Sequence, residues 1–129
     1  AAQLGFEDAF LFIGNAYSEG RGIKQDSNKA MYWYNKSINS GSSFSKHAYG
    51  TIGLMYSHSN GIKNDYTKAI EYLEKGLLAG VKTNAMPLGM LYLQGKGASV
   101  DHNRAAELFR IAEKIGDPRG REELKRLGW

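Results

Sequence analysis

Apolar residues recur at three- and four-residue steps through most of this chain, and short polar stretches carrying glycine interrupt them at regular places. Phe6, Ala9, Phe10, Ile13 and Tyr17 share one helical face, which predicts a helix from about Glu7 to Ser18. Beyond the polar turn, a stripe of Ala30, Trp33, Tyr34 and Ile38 predicts a second helix over Ser27–Ser40. The stripe returns as Ala69, Tyr72, Leu73 and Leu77 in a helix over Tyr66–Ala79. It returns again as Ala105, Leu108, Phe109 and Ala112 in a helix over His102–Ile115. Aromatic stripes of this kind belong to packed cores. Lys36 and Lys75 are expected to lay their stems along the rings with the ammonium in water.

The pattern is one unit written three times, over residues 9–41, 48–80 and 84–116. Gly14, Gly53 and Gly89 hold one place, and Tyr17, Tyr56 and Tyr92 follow three residues later. Then come Gly20 and Gly22, Ser59 and Gly61, and Gly95 and Gly97. Asp26, Asp65 and Asp101 lead into the basic–Ala pairs Lys29-Ala30, Lys68-Ala69 and Arg104-Ala105. Gly41, Gly80 and Gly116 close the units, and unit one carries three extra residues around Ser42 to Lys46. A period of about thirty-six residues is that of a helical solenoid.

Each repeated residue has a structural reason. A glycine inside a helix costs up to about 1 kcal/mol against alanine, so Gly14, Gly53 and Gly89 mark close approach of the partner helix, with Ala30, Ala69 and Ala105 expected opposite. The paired turn glycines supply left-handed backbone, and Asn60 is expected to do so where Ser59 replaces one. Ile23, Ile62 and Ala98 are expected to tuck beneath the turns. Asp26, Asp65 and Asp101 stand where the second helices begin, as N-caps do. Pro87 falls in the first turn of its helix if Thr83 or Asn84 caps it.

The ends differ. Ala1 to Gly5 resemble Ala112 to Gly116, so the chain is expected to open inside a preceding second helix, left by a longer array or as a minimal cap. After Gly116, Asp117 and Pro118 open a last helix within 117–129. Lys125 stands there where the packing glycine should be, which makes this helix a C-terminal cap.

Composition narrows the function. The 129 residues have the length of one domain. The net charge of +4 comes from basic residues spread over every unit, which argues against a dedicated nucleic-acid binder. The one dense basic cluster is Arg119, Arg121, Lys125 and Arg126, diluted by Glu122 and Glu123. No run approaches the roughly twenty apolar residues of a membrane span, and no signal-peptide pattern is visible. There is no cysteine, hence no disulfide or thiolate chemistry, and the compartment stays open. His47 and His58 lie roughly 16 Å apart on an ideal helix, too far to share a metal ion. Neither a nucleophile motif nor a phosphate-binding glycine pattern is present, so neither a catalytic residue nor a cofactor is expected.

From Ala9 to Lys36 the chain reads A-x-x-x-I-G-x-x-Y-x-x-G-x-G-I-x-x-D-x-x-K-A-x-x-W-Y-x-K. This resembles the Sel-1-like repeat family, close cousin of the tetratricopeptide repeats. The departures are Ser59 for glycine, Asn84 for the opening alanine, Ala98 for the aliphatic residue and Ile111 for the lysine. The resemblance implies an all-α solenoid of antiparallel helix pairs stacked into a right-handed superhelix. It also implies an adaptor that binds another protein or a peptide. In tetratricopeptide-like stacks the first helices line a concave face. By register that face takes Asp8, Leu11, Asn15, Ser18 and Glu19 from unit one, and His47, Gly50, Leu54, Ser57 and His58 from unit two. Unit three supplies Thr83, Met86, Met90, Leu93 and Gln94. Met86, Met90 and Leu93 form either a soft partner surface or packing for the C-terminal helix. The alternative function is an inhibitor or immunity protein that neutralises a toxin or enzyme, a role in which members of this family occur.

Overall fold

The computed structural model describes residues 2–41, 45–58 and 62–129, with side chains from Ala9 onward. Seven α-helices and one 3-10 turn make up the regular structure of the described residues: α1 (Ala2–Glu19), α2 (Ser27–Ser40), α3 (Lys46–His58), α4 (Tyr66–Leu78), the 3-10 turn Lys82–Asn84, α5 (Ala85–Gln94), α6 (His102–Lys114) and α7 (Pro118–Arg126). Helices pair as α1 with α2, α3 with α4, and α5 with α6. Contacts of α2 with α3 and of α4 with α5 stack the pairs, and α7 packs on α6. The result is an all-α solenoid. Helix α1 begins at Ala2, ahead of the expected Glu7, so residues 2–5 continue into it rather than closing a separate helix.

The second helices start where the aspartates stand. Asp26, Asp65 and Asp101 sit in extended backbone and accept from the backbone N–H of Lys29, Lys68 and Arg104 at 3.1, 3.1 and 2.9 Å. Each cap satisfies one orphan amide of the helix start. Asp117 caps α7 in the same way through the Arg119 N–H at 3.0 Å, with Pro118 at the first helical position. The third first helix is different. Asn84 is in helical backbone and its side chain makes no cap bond; it turns inward instead, and its amide nitrogen donates to Leu73 O at 3.4 Å. Pro87 lies in the first turn of α5, where no intrahelical N–H is lost.

The recurring glycines face large side chains, and at Gly53 the alanine expected opposite, Ala69, also comes close through its carbonyl. A Cβ at Gly14 or Gly89 would stand 2.7 Å from the ring of Tyr34 or Phe109. At Gly53 it would stand 2.8 Å from Leu73 and 3.0 Å from the Ala69 carbonyl. Ala30, Ala69 and Ala105 are fully buried one turn earlier. Glycine on one helix therefore makes room for the bulkiest buried residue on its partner.

A second set of small residues stacks one pair on the next. Ser37, Gly76 and Ala112 are register equivalents and all are buried. Across from them by register lie Ala48, Asn84 and Gly120. Gly76 has no room for a Cβ because the Asn84 amide fills the space. Gly120 has none because the Phe109 carbonyl and the Ala112 methyl group do. Volume is shared between facing positions: where one side is glycine, the other is larger.

The signature tyrosines and basic residues also meet. Lys29 Nζ lies 5.6 Å from the centroid of Tyr17 and Lys68 Nζ 5.4 Å from that of Tyr56, each a cation–π contact between paired helices. In unit three the hydroxyl of Tyr92 donates to Glu74 at 3.2 Å, and Arg104 pairs with the same carboxylate at 2.8 Å. Burial first, and then the Glu74 charge, hold the Tyr92 hydroxyl above the ordinary phenol range. Lys36 and Lys75 lie along the rings and stay exposed, as expected. Their ammonium groups sit over ring faces, Lys36 at 5.2 Å from Trp33 and Lys75 at 5.2 Å from Tyr72.

The turns depart from expectation. Gly97 has φ +83°, and a Cβ there would strike the Tyr66 carbonyl; glycine is needed on both counts. Ile23 and Ala98 are exposed, not tucked beneath their turns, whereas Ile62 is half-buried and packs on the core. Ser59, Asn60 and Gly61, and with them the expected left-handed Asn60, lie outside the described residues.

Replacing Gly53 with valine is expected to destabilise the fold by about 1–3 kcal/mol in chemical denaturation, as overpacking does; an unchanged midpoint would refute the close approach. Asp101→Ala is expected to lose about 1 kcal/mol in the same measurement through its missing cap bond.

Candidate functional groove

The first helices of units two and three and helix α7 lie side by side and enclose an open groove of about 710 Å³. Its α3 wall carries His47, Thr51, Leu54 and His58 around Gly50. Asn84, Met86, Pro87 and Met90 form the floor, with Val81 and Thr83 at one end. The α7 wall carries Arg119, Glu122, Glu123 and Arg126. These rows follow from the period: Gly50, Met86 and Glu122 stand thirty-six residues apart, as do Leu54, Met90 and Arg126.

The expected concave residues divide into three groups. His47, Gly50, Leu54, His58, Thr83, Met86 and Met90 come together in the groove. Ser57 and Gln94 line a smaller depression beside it, together with Leu54, His58 and Met90. Unit one is not part of either. Leu11 is half-buried and packs against the core cluster that contains Tyr34, Ile52 and Met55, and Asn15 accepts from the Tyr34 hydroxyl at 2.7 Å. The Ser18 carbonyl accepts from Gln25 Nε2 at 2.8 Å, and Glu19 pairs with Arg21. Burial raises the Tyr34 hydroxyl above its ordinary pKa, while a Ser18 hydrogen bond pulls the other way. The side chain of Asp8 lies outside those described.

The methionine patch resolves into packing and surface at once. Met86 is 5% exposed and belongs to a core cluster with Ala105, Phe109, Ala112 and Leu124. Met90 and Leu93 pack partly on the same cluster. Met86 and Met90 still present atoms to the groove floor, while Leu93 does not line it. Leu54, like Val81 and Pro87, belongs to none of the core clusters, whereas Met86 and Met90 do pack on one.

The α7 wall was missing from the sequence reading, which gave that helix only a capping role. The signal was available: adding one period to Met86 and Met90 gives Glu122 and Arg126. The electrostatics of this wall are mostly internal. Arg119 places Nη2 at 2.7 Å and Nε at 3.1 Å on the two oxygens of Asp117. The Arg119 hydrogen bonds hold the Asp117 carboxyl below its usual range. Arg126 donates to Glu123 at 2.7 Å, and Arg121, outside the groove, reaches Glu113 at 4.0 Å. On the α3 side, Ser57 Oγ donates to the Leu54 carbonyl and lies 2.9 Å from His58 Nδ1. No group of three or more potential metal ligands gathers among the described residues. None of their helices is long and apolar enough to cross a membrane.

The comparisons agree with this architecture. The Sel1 repeat family model matches residues 9–42, 45–81 and 88–117. A Sel1 repeat protein from Oxalobacter formigenes is 25% identical with a TM-score of 0.79, over 92% of this chain and 47% of that one. A protective antigen of uropathogenic Escherichia coli strains, which displays an SLR fold, is 29% identical with a TM-score of 0.80, over 92% and 25%. The chain thus spans half or less of the length of these two structures. Cysteine rich protein B of Helicobacter pylori shares the fold at 19% identity and a TM-score of 0.68, over 93% and 95%. No curated protein sequence matches the chain significantly. Three copies of one repeat pattern, matched in register over most of its length, make this chain a member of the Sel1 repeat family, whose proteins are generally protein–protein interaction scaffolds.

Proposed function

We propose that this chain is an interaction scaffold that holds a partner protein or peptide in the groove between α3, α5 and α7. The observation that carries the reading is the convergence of side chains from three alternate helices, α3, α5 and α7, on one open cleft of about 710 Å³. That volume lies within the range of specific ligand clefts. Its lining joins Leu54, Pro87, Met86 and Met90 to polar residues on either wall, the apolar centre and polar rim that protein contacts favour. Methionine adapts its shape to a partner side chain at little cost. In a longer array of the same repeats, the rows of the groove would continue onto neighbouring units.

Leu54→Glu is the cleanest test, because Leu54 lines the groove without belonging to a core cluster. In affinity capture followed by mass spectrometry, the wild type is expected to retain a partner that the variant loses. Circular dichroism and the melting temperature should stay close to wild type. Equal capture by both proteins would place binding elsewhere on the solenoid.

A further inference from the structure

The ionisable side chains on the α7 wall are not equally free. Arg119 is held on Asp117 through two donors. Arg126 is held on Glu123, whose side chain is only 11% exposed. Glu122 lies on the same helical face, three residues after Arg119 and four before Arg126. It is exposed, and no ion pair engages it among the described residues. His47 and His58 stand on the opposite wall. The uncompensated fixed charge in the groove is therefore negative, on a chain whose net charge is +4.

A second acceptor lies on the floor. Only the amide nitrogen of Asn84 can donate to the Leu73 carbonyl, so its oxygen must face the other way. That oxygen occupies the space over Gly50, where a Cβ would collide with it. No described group donates to it. Gly50 and Glu122 flank Met86 in one register row. The groove thus offers one hydrogen-bond acceptor over Gly50 and another at Glu122, with Met86 between them in the row and both lining arginines already paired.

We propose that the groove selects partners presenting a lysine or arginine beside an apolar side chain. The apolar group rests on Leu54, Pro87 and Met90, the cation pairs with Glu122, and a partner N–H donates to Asn84 Oδ1. The global charge of the protein points the other way, toward acidic partners; the local charge of the groove decides, because a contacting pair is felt far more strongly than charges beyond a screening length. This inference rests on the groove being the binding face.

The test passes an oriented library of short peptides, with a fixed central leucine and randomised flanks, over the immobilised full chain at neutral pH. Wild type is expected to enrich lysine and arginine over acidic residues at a flanking position, on the order of fivefold. Glu122→Gln should abolish that preference while still retaining peptides, and Glu122→Lys should reverse it toward aspartate and glutamate. Because Glu122 is exposed, both variants should keep the wild-type helical content. Retention by wild type without a basic preference, or a preference unchanged in Glu122→Gln, overturns this inference and leaves the groove reading standing. Retention that survives Leu54→Glu, or no retention by wild type, overturns both.

Discussion

Neighbouring helices in this solenoid come so close that the volume between them has to be divided between facing residues. Within a pair, Gly14, Gly53 and Gly89 yield their space to Tyr34, Leu73 and Phe109. Between pairs, Gly76 yields to Asn84, and Gly120 lies against Ala112 and the α6 backbone. Interiors pack at crystal-like density, so neither partner can change size alone. Glycine inside a helix costs about 1 kcal/mol in propensity, and the close contacts it permits offset that cost.

This constraint carries the other features with it. Once glycine admits the partner helix, the signature tyrosine of the first helix comes under the basic residue of the second, giving the Lys29–Tyr17 and Lys68–Tyr56 contacts. The aspartate caps fix where each second helix begins, which keeps the facing residues in register. With register held, the first helices present the same positions side by side. The groove is the exposed side of those rows, and its chemistry comes from positions at which the units differ.

Much of the fold was legible in the sequence because it depends on periodic local signals. The second-helix starts at Ser27, Tyr66 and His102 followed from the aspartates, and the helix pairs followed from the glycine–tyrosine spacing. What was not legible depends on three-dimensional volume. No local signal says that the glycine faces Tyr34 instead of Ala30, or that Asn84 turns inward onto Gly76 instead of capping α5. Ile23 and Ala98 looked like turn anchors but are exposed, whereas their register equivalent Ile62 packs on the core. For the groove, register placed seven of the expected residues together. It failed for Leu11 and Asn15, which the core and Tyr34 engage. It also omitted Glu122 and Arg126, since a helix read only as a cap was not credited with a row position.

A double-mutant cycle on Gly76 and Asn84 tests the shared-volume constraint most directly. Gly76→Ala alone should destabilise the chain, because the added methyl group meets the buried Asn84 amide. In an Asn84→Ala background the space is open, and the same change should become neutral or stabilising. The measured coupling from denaturant unfolding should then be on the order of 1–3 kcal/mol, with the double variant more stable than Gly76→Ala alone. Additive effects within the usual few tenths of a kcal/mol would contradict the account.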